Sequence, residues 1–250
     1  MTSRQSDLPF LTKGRYSAYL ISGEGEIADA VALRVLAFGP PGGSDEFDPL
    51  CTHLLIRLEQ SGTLVCCLRM LALANGGEAK RSYSAQFYDL SRLAQLAAPM
   101  FEIGRFCIHP DWHDPDILRI AWGAITRFVD KRGAAFLFGC SSFSGVDPTP
   151  YLDAFSVLKA RHLAPLALRP GVKWPDPFRF AAELQCRPDP RSAAAQMPPL
   201  LRSYLLMGGQ VSDHAVIDWH MNTLHVFTML EIAAIPPARK RLLRTIAASH

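Results

Sequence analysis

Three charged side chains stand inside runs that otherwise read as buried β-strand. Arg69 lies in Val65-Cys66-Cys67-Leu68-Arg69-Met70-Leu71, and Glu102 and Arg105 lie in Phe101-Glu102-Ile103-Gly104-Arg105-Phe106. A charge buried in a sheet is costly unless paired, so each needs a partner. Asp45 and Asp48, just past a predicted helix end, are available counter-charges. A carboxylate held beside arginines can serve general acid–base chemistry. Glu102 and Arg105 differ by three, so an ideal pleat puts them on opposite faces. A bulge near Gly104 would bring them round. On pattern alone, a sheet edge with solvated charges stays open beside this functional reading.

Other groupings are weaker. Cys107 and His109 share a face in a regular strand, but no orienting acid is visible for a Cys–His nucleophile. His109, Asp111, His113 and Asp114 lie in a proline-rich turn that explains them without a metal. His214, His220 and His225 lack compact ligand spacing, and Trp219 and Met221 read as core. We expect no metal and no cofactor. The six cysteines form no C-x-x-C pair, and most sit in apolar runs, which fits small buried hydrophobes in a reducing compartment.

The elements that must position these residues are legible in outline. Ile27, Val31, Val35 and Phe38 recur at helical spacing over Glu24 to Phe38, with Glu24, Glu26 and Asp29 near its start, and Gly39-Pro40-Pro41-Gly42-Gly43 ends it. His53 to Leu58 and Thr63 to Leu73 read as a hairpin, and Phe101 to His109 as another strand. Asp114 to Arg132 reads as a long helix, capped by Asp114 with Pro115 in its first turn. A strand over Ala134 to Cys140 and a helix over Tyr151 to Arg161 follow. Prolines crowd Ala164 to Pro199, an irregular excursion that also holds Trp174, Phe178 and Phe180. Leu200 to Met207 reads as helix, Gly209 to Ile217 and His225 to Ile232 as strands, and Pro236 to Ala248 as a last helix.

The 250 residues are 49% hydrophobic and 20% charged, which excludes a disordered polar chain and suffices for a substantial core. No run approaches the ~18 apolar residues of a membrane span. Met1 to Lys13 lacks the order of a signal peptide, so a cytoplasmic location is expected. The net charge of +3 is too small for a nucleic-acid footprint, and no nucleic-acid partner is expected. Two local basic clusters, Arg127 to Arg132 and Arg239 to Arg244, suit an acidic partner or an anionic membrane at its inner face, against the plainer reading of solvated helix faces.

Glu102-Ile103-Gly104-Arg105-Phe106-Cys107-Ile108-His109-Pro110 resembles the glutamate–arginine strand of the acyl-homoserine-lactone synthases, GNAT-like enzymes that take acyl chains from acyl carrier protein. Arg34 and Phe38, then Asp45 and Asp48, then Arg69 fit the same order. The resemblance is greater to a sister family, the ornithine Nα-acyltransferases that make lyso-ornithine lipid. Leu137 to Phe143, Gly145-Val146-Asp147-Pro148, His162-Leu163-Ala164-Pro165, Pro199 to Leu205 and Val216-Ile217-Asp218 carry it. No tryptophan lies between Phe38 and Asp45, and the C-terminal extension is long; both points separate the chain from the quorum-signal synthases.

The resemblance implies an α/β (α+β) fold: a GNAT-like, mixed, mostly antiparallel central sheet flanked by helices. One domain would comprise a core over about 15–169, the proline-rich excursion over 170–199 and a C-terminal extension over 200–250 packed on the core. It implies transfer of a (3-hydroxy)acyl chain from acyl carrier protein to the α-amine of L-ornithine. Glu102 would be the base, with Arg105, Arg69, Asp45 and Asp48 as an ion-pair cluster beneath it. Arg34, Phe38, Ser141, Ser142, Phe143 and Asp147 would meet substrate, and Arg127, Lys131 and Arg132 would face the carrier protein. The alternatives are a homoserine-lactone-type synthase and a non-catalytic carrier-protein-binding module. Independently of any family, His109-Pro110-Asp111-Trp112-His113-Asp114-Pro115 has no glycine, and it has two prolines and two aspartates where a pyrophosphate cradle would need free amides. That favours acyl-phosphopantetheine on a carrier protein over CoA.

Overall fold

The computed structural model describes residues 8–22, 27–185 and 187–248. In chain order the elements are β1 (Leu11–Lys13), β2 (Tyr16–Ile21), α1 (Ala28–Phe38), β3 (Thr52–Leu58), β4 (Leu64–Leu73), β5 (Tyr88–Asp89) and β6 (Met100–Ile108). They continue with α2 (Pro115–Arg132), β7 (Phe136–Ser144), α3 (Leu152–Arg161), β8 (Gly171–Val172), α4 (Phe180–Glu183) and α5 (Pro190–Gln196). Last come α6 (Pro199–Leu206), β9 (Gln210–Asp218), β10 (Thr223–Glu231) and α7 (Pro237–Ala247). The chain divides into two compact units: Met1–Ala72, Ile103–Ala134 and Pro237–His250 form one, Leu73–Glu102 and Ala135–Pro236 the other.

In the first unit the strand order is β1-β2-β3-β4-β6, with β1 through β4 antiparallel. Ile21, Ala30, Leu33, Leu55, Cys67 and Cys107 are buried together, seating α1 on its sheet. α2 forms where the sequence places it. Asp114 accepts a hydrogen bond from the Asp116 N–H, Pro115 opens the helix, and Gly133 closes it at φ +62°, a left-handed conformation that glycine adopts freely. α7 packs on α2, and Gly123 leaves room for Ile246.

In the second unit the order is β6-β7-β10-β9, β6 dividing between the units at Glu102 and Ile103. Met100–Glu102 run parallel to Phe136–Phe138, whereas β7, β10 and β9 are antiparallel. The core gathers Phe143, Phe155, Phe180, Leu201, Val211 and Val226. β5 and β8 form a separate two-stranded ladder.

Some expectations shift. β1 and β2 are strands the pattern did not reveal. Tyr16, Ser17 and Ala18 are all buried, and a strand covered on both faces loses its period of two. β7 runs on to Ser144 because Ser141 and Ser142 still pair with β10. The helix expected from Glu24 begins at Ala28; Glu24 and Glu26 lie outside the described residues, as does Cys186. The proline-rich stretch carries β8, α4 and α5.

A Cβ on Gly123 would lie 2.4 Å from Ile246 Cγ2. Alanine would gain about 1 kcal/mol of helix propensity, but overpacking costs about 1–3 kcal/mol. Gly123→Val, bulkier still, is expected to lower the melting temperature, and Ile246→Ala on top of it should recover part of the loss. Equal melting of Gly123→Val and wild type would show that α7 yields at no cost.

Candidate active site

The first unit buries a five-membered ion-pair network. α1 contributes Arg34, whose side chain is 1% exposed and whose Nη1 donates to both Asp48 oxygens at 2.8 and 3.1 Å. β4 contributes Arg69, which donates to both oxygens of Asp45 and, at 2.8 Å, to Asp48 Oδ1. β6 contributes Arg105, whose Nη2 donates to Asp45 Oδ2 at 2.9 Å. Two acids thus bind three arginines, and the forked guanidinium suits this bidentate geometry. Local turns hold the acids in place: the Asp45 N–H and the Ser44 hydroxyl donate to Asp48 Oδ2, both at 3.2 Å, and the Phe47 N–H donates to Asp45 Oδ1 at 3.0 Å. His53, opposite Arg69 in the β3–β4 register, places Nε2 3.0 Å from the Asp48 carbonyl.

Burial alone would raise the Asp48 carboxyl, but hydrogen bonds from Arg34 and Arg69 outweigh it and hold it at about 2. Asp45 is held down in the same way by Arg69 and Arg105. Burial pushes His53 below its ordinary value, so it stays neutral.

β6 departs from a regular pleat where the sequence suggested. Arg105 has φ +52°, rare for a residue with a side chain, one position past Gly104. Backbone strain at such a position costs on the order of 1–3 kcal/mol and persists only when its surroundings enforce it. The half-buried ion pair with Asp45 supplies that enforcement.

Glu102, in the second unit, is 5% exposed. Its Oε2 accepts from the Tyr83 N–H at 2.8 Å, and its Oε1 accepts from the Ser84 N–H at 2.7 Å and the Ser84 hydroxyl at 2.6 Å. Beyond the role the sequence suggested for it, Glu102 ties the 83–84 turn to β6. Nothing in the spacing of Tyr83 and Ser84 marked them, because the donors are mainly backbone.

The remaining expected site residues are distributed as follows. Arg34, read as a substrate contact, is spent inside the network, and Phe38 packs beside the α1 core. In the second unit Ser141 is buried, its hydroxyl accepting from Thr228 at 3.0 Å, and Phe143 is buried against Tyr151 and Phe155. Ser142 is exposed, and Asp147 accepts from the Thr149 N–H in a surface turn. On α2, Arg127 donates to the Phe10 carbonyl, Lys131 lies over the Phe10 ring and Arg132 over Phe128. Lys131 and Arg132 remain exposed.

The rival chemistries find little here. Cys107 is buried 3.5 Å from the Cys67 sulfur, and that hydrogen bond, with burial, pushes the Cys67 thiol well up, away from a reactive thiolate. Asp114 is occupied as the α2 cap and by Arg15 and Tyr16. Among the described residues no group of three His, Cys, Asp or Glu is placed to hold a metal, and no helix is long and apolar enough to cross a membrane.

Comparison with known proteins agrees with this architecture. A family model described as an acetyltransferase (GNAT) domain matches residues 15–123, and the fold is GNAT-like: mixed α/β, mostly antiparallel and flanked by helices. The L-ornithine N(alpha)-acyltransferase of Rhodobacter capsulatus is 32% identical over 197 residues, covering 77% of this chain and 75% of that protein. The protein of the same description from Brucella abortus is 28% identical over 207 residues, covering 77% and 71%. Among solved structures, an N-acyl amino acid synthase from uncultured soil microbes aligns over 93% of this chain and 97% of its own, with a TM-score of 0.49 and 9% identity.

The network predicts a pH signature. Asp48 titrates at about 2 when folded, against ~3.9 in an unfolded chain. Its stabilisation is therefore complete above about pH 4, is lost as pH falls toward 2, and amounts to roughly 2 kcal/mol by linkage. Thermal melts should be flat in this respect from pH 8 to 5 and steepen below 4. Asp48→Asn, which leaves Arg34 and Arg69 short of a counter-charge, should melt lower at neutral pH and lose much of the acid-side slope. A variant that melts like wild type at pH 7 would remove the network from the stability account.

Proposed function

The chain belongs to the L-ornithine N(alpha)-acyltransferase family and is an acyltransferase, and from that premise we propose that it moves a (3-hydroxy)acyl chain from acyl carrier protein to the α-amine of L-ornithine, giving lyso-ornithine lipid. The observation that carries the donor choice is the entrance to α2. A CoA pyrophosphate needs free N–H groups at a helix N-terminus. Here Pro115 has no N–H, Asp114 already takes the Asp116 N–H, and that bond, with Arg15 and Tyr16, holds Asp114 at about 2 and so anionic. A carrier protein presents phosphopantetheine alone and needs no such cradle. The exposed Lys131 and Arg132, with Arg127 beside them, suit an acidic carrier surface.

The reaction is aminolysis of a thioester. The α-ammonium gives up one proton, its nitrogen attacks the thioester carbon, and the tetrahedral intermediate loses the second N–H proton to solvent and collapses with cleavage of the C–S bond. The thiolate leaves and is reprotonated by solvent. In this reading Glu102 takes the ammonium proton, directly or through a water, a contribution on the order of 10²–10⁴ in rate. Arg105, Arg69, Asp45 and Asp48 fix the strand and acidic loop. Ser142 and Asp147, both exposed, are kept as proposed substrate contacts. The described cysteines are all free thiols, which supports a reducing, cytoplasmic setting, with the basic α2 and α7 as the surfaces for an anionic inner membrane face.

Purified protein with hydroxyacyl carrier protein and ornithine should yield the N-acylated amino acid, and acyl-CoA at matched concentration should not replace the donor. Equal turnover of acyl-CoA, or a preference for S-adenosylmethionine as acceptor, would overturn this reading. Charge reversal at Lys131 and Arg132 should raise KM for the carrier protein and leave that for ornithine unchanged, with the effect fading in salt.

Glu102→Gln tests the base. The amide can keep the Ser84 bonds but turns an NH₂ toward the Tyr83 N–H, so melting must be measured beside kinetics. We expect kcat to fall about 10²-fold, with partial recovery at high pH as the amine deprotonates unaided. A variant that folds and turns over normally removes Glu102 from the chemistry; one that loses stability without pH rescue reduces it to an anchor of the 83–84 turn.

A further inference from the structure

The second unit contains a cleft of about 680 Å³ with Lys80, Tyr88, Asp89, Ser91, Val172 and Lys173 among its walls. That size lies within the range of small-molecule sites. The cleft is built by the β5–β8 ladder, which sets Asp89 opposite Gly171 and brings the proline-rich excursion back to the 76–94 segment. A side chain at 171 would press on Asp89, since a Cβ there would lie 3.1 Å from Asp89 Oδ2. The Lys173 ammonium donates to the Ala85 carbonyl at 2.6 Å, which spends one of its three protons and fixes its position. The Ser91 N–H donates to Asp89 Oδ1 at 3.0 Å and is the first of the influences that hold that carboxyl below its ordinary value. Lys80 is exposed and enters no ion pair among the described residues. Tyr88 closes the floor, its hydroxyl donating to the His225 carbonyl at 2.7 Å.

The same segment leads to Glu102. The Tyr83 and Ser84 amides donate to its carboxylate, and Ala85, the next residue, both lines the cleft and receives Lys173. Two ammonium groups and one carboxylate in one cleft complement a zwitterion that carries a second amine. The lysines match a carboxylate, the aspartate matches a distal ammonium, and no cleft charge is left to bind the α-amine. We propose that this cleft is the acceptor subsite: Lys80 and Lys173 take the α-carboxylate of a basic amino acid, Asp89 takes its side-chain ammonium, and the α-amine stays free for acylation. The assignment rests on the ornithine reading and names the groups that would choose that acceptor.

The test compares three acceptors with one acyl-carrier donor: ornithine, 1,4-diaminobutane, which lacks the carboxylate, and norvaline, which lacks the side-chain amine. Lys80→Ala should raise KM for ornithine about tenfold, leave kcat and the donor KM within about twofold, and reduce the preference for ornithine over diaminobutane by the same factor as the KM rise. Asp89→Asn should reduce the preference for ornithine over norvaline and leave that over diaminobutane in place. Lys173→Met also frees the Ala85 carbonyl, so its melting curve is read alongside, and Lys80→Ala decides if it unfolds. Failure of the wild type to acylate ornithine fails the underlying reading and the subsite with it. Wild-type turnover with unchanged acceptor preference in Lys80→Ala and Asp89→Asn overturns the subsite alone, and a rise confined to the donor KM reassigns the cleft to the acyl donor.

Discussion

The first unit depends on five charges withdrawn from water and paired with one another. Arg34, Arg69 and Arg105 arrive from a helix and two strands, and Asp45 and Asp48 meet them from one short loop. Removing one partner of such a network costs about 3–5 kcal/mol because the remainder is stranded away from water. The loop cannot relax without orphaning arginines on α1, β4 and β6 together. The same constraint accounts for the strained φ of Arg105, which is kept because Asp45 holds its guanidinium. Specificity of conformation, more than net stability, is what a buried pair of this kind supplies.

In the second unit the organising group is again a carboxylate, but its partners are backbone amides. Glu102 fastens the turn at 83–84, and the residues after that turn form one wall of a charged cleft. On the proposed reading, a base that also anchors the wall of the acceptor cleft couples placement of the acceptor to placement of the base. This is how proximity enters such a reaction: much of the entropy of bringing amine and base together is met on binding. The proline-rich excursion acquires a purpose in the same terms. Its two-residue strand at 171–172 is too short to stand alone, yet it delivers Lys173 to that wall.

Much of this was legible in the residue order. Charges at 69, 102 and 105 in apolar strands demanded partners, and acids at 45 and 48 supplied those of Arg69 and Arg105. The helix at 115–132 was marked by its Asp-Pro start and glycine stop, and the hairpin at 52–73 by its turn. Those signals are local, since a cap, a turn or an unpaired charge is decided within a few residues. His53 could not have joined them, because counting back from the hairpin turn sets it opposite Leu68, and only the register shift between Ile56 and Arg57 brings it opposite Arg69.

Residue order alone set which groups had to be paired, and the order of the motifs pointed to the family. Only the tertiary structure decided which partner each would take. Arg34 went to Asp48, and Glu102 took the amides of 83–84. Lys80, Asp89 and Lys173 came to line one cleft across eighty and more residues of chain. The physical reason is that a charge advertises its need through its own neighbours, whereas its partner is selected by strand register and loop return, which are set by packing far away in the sequence.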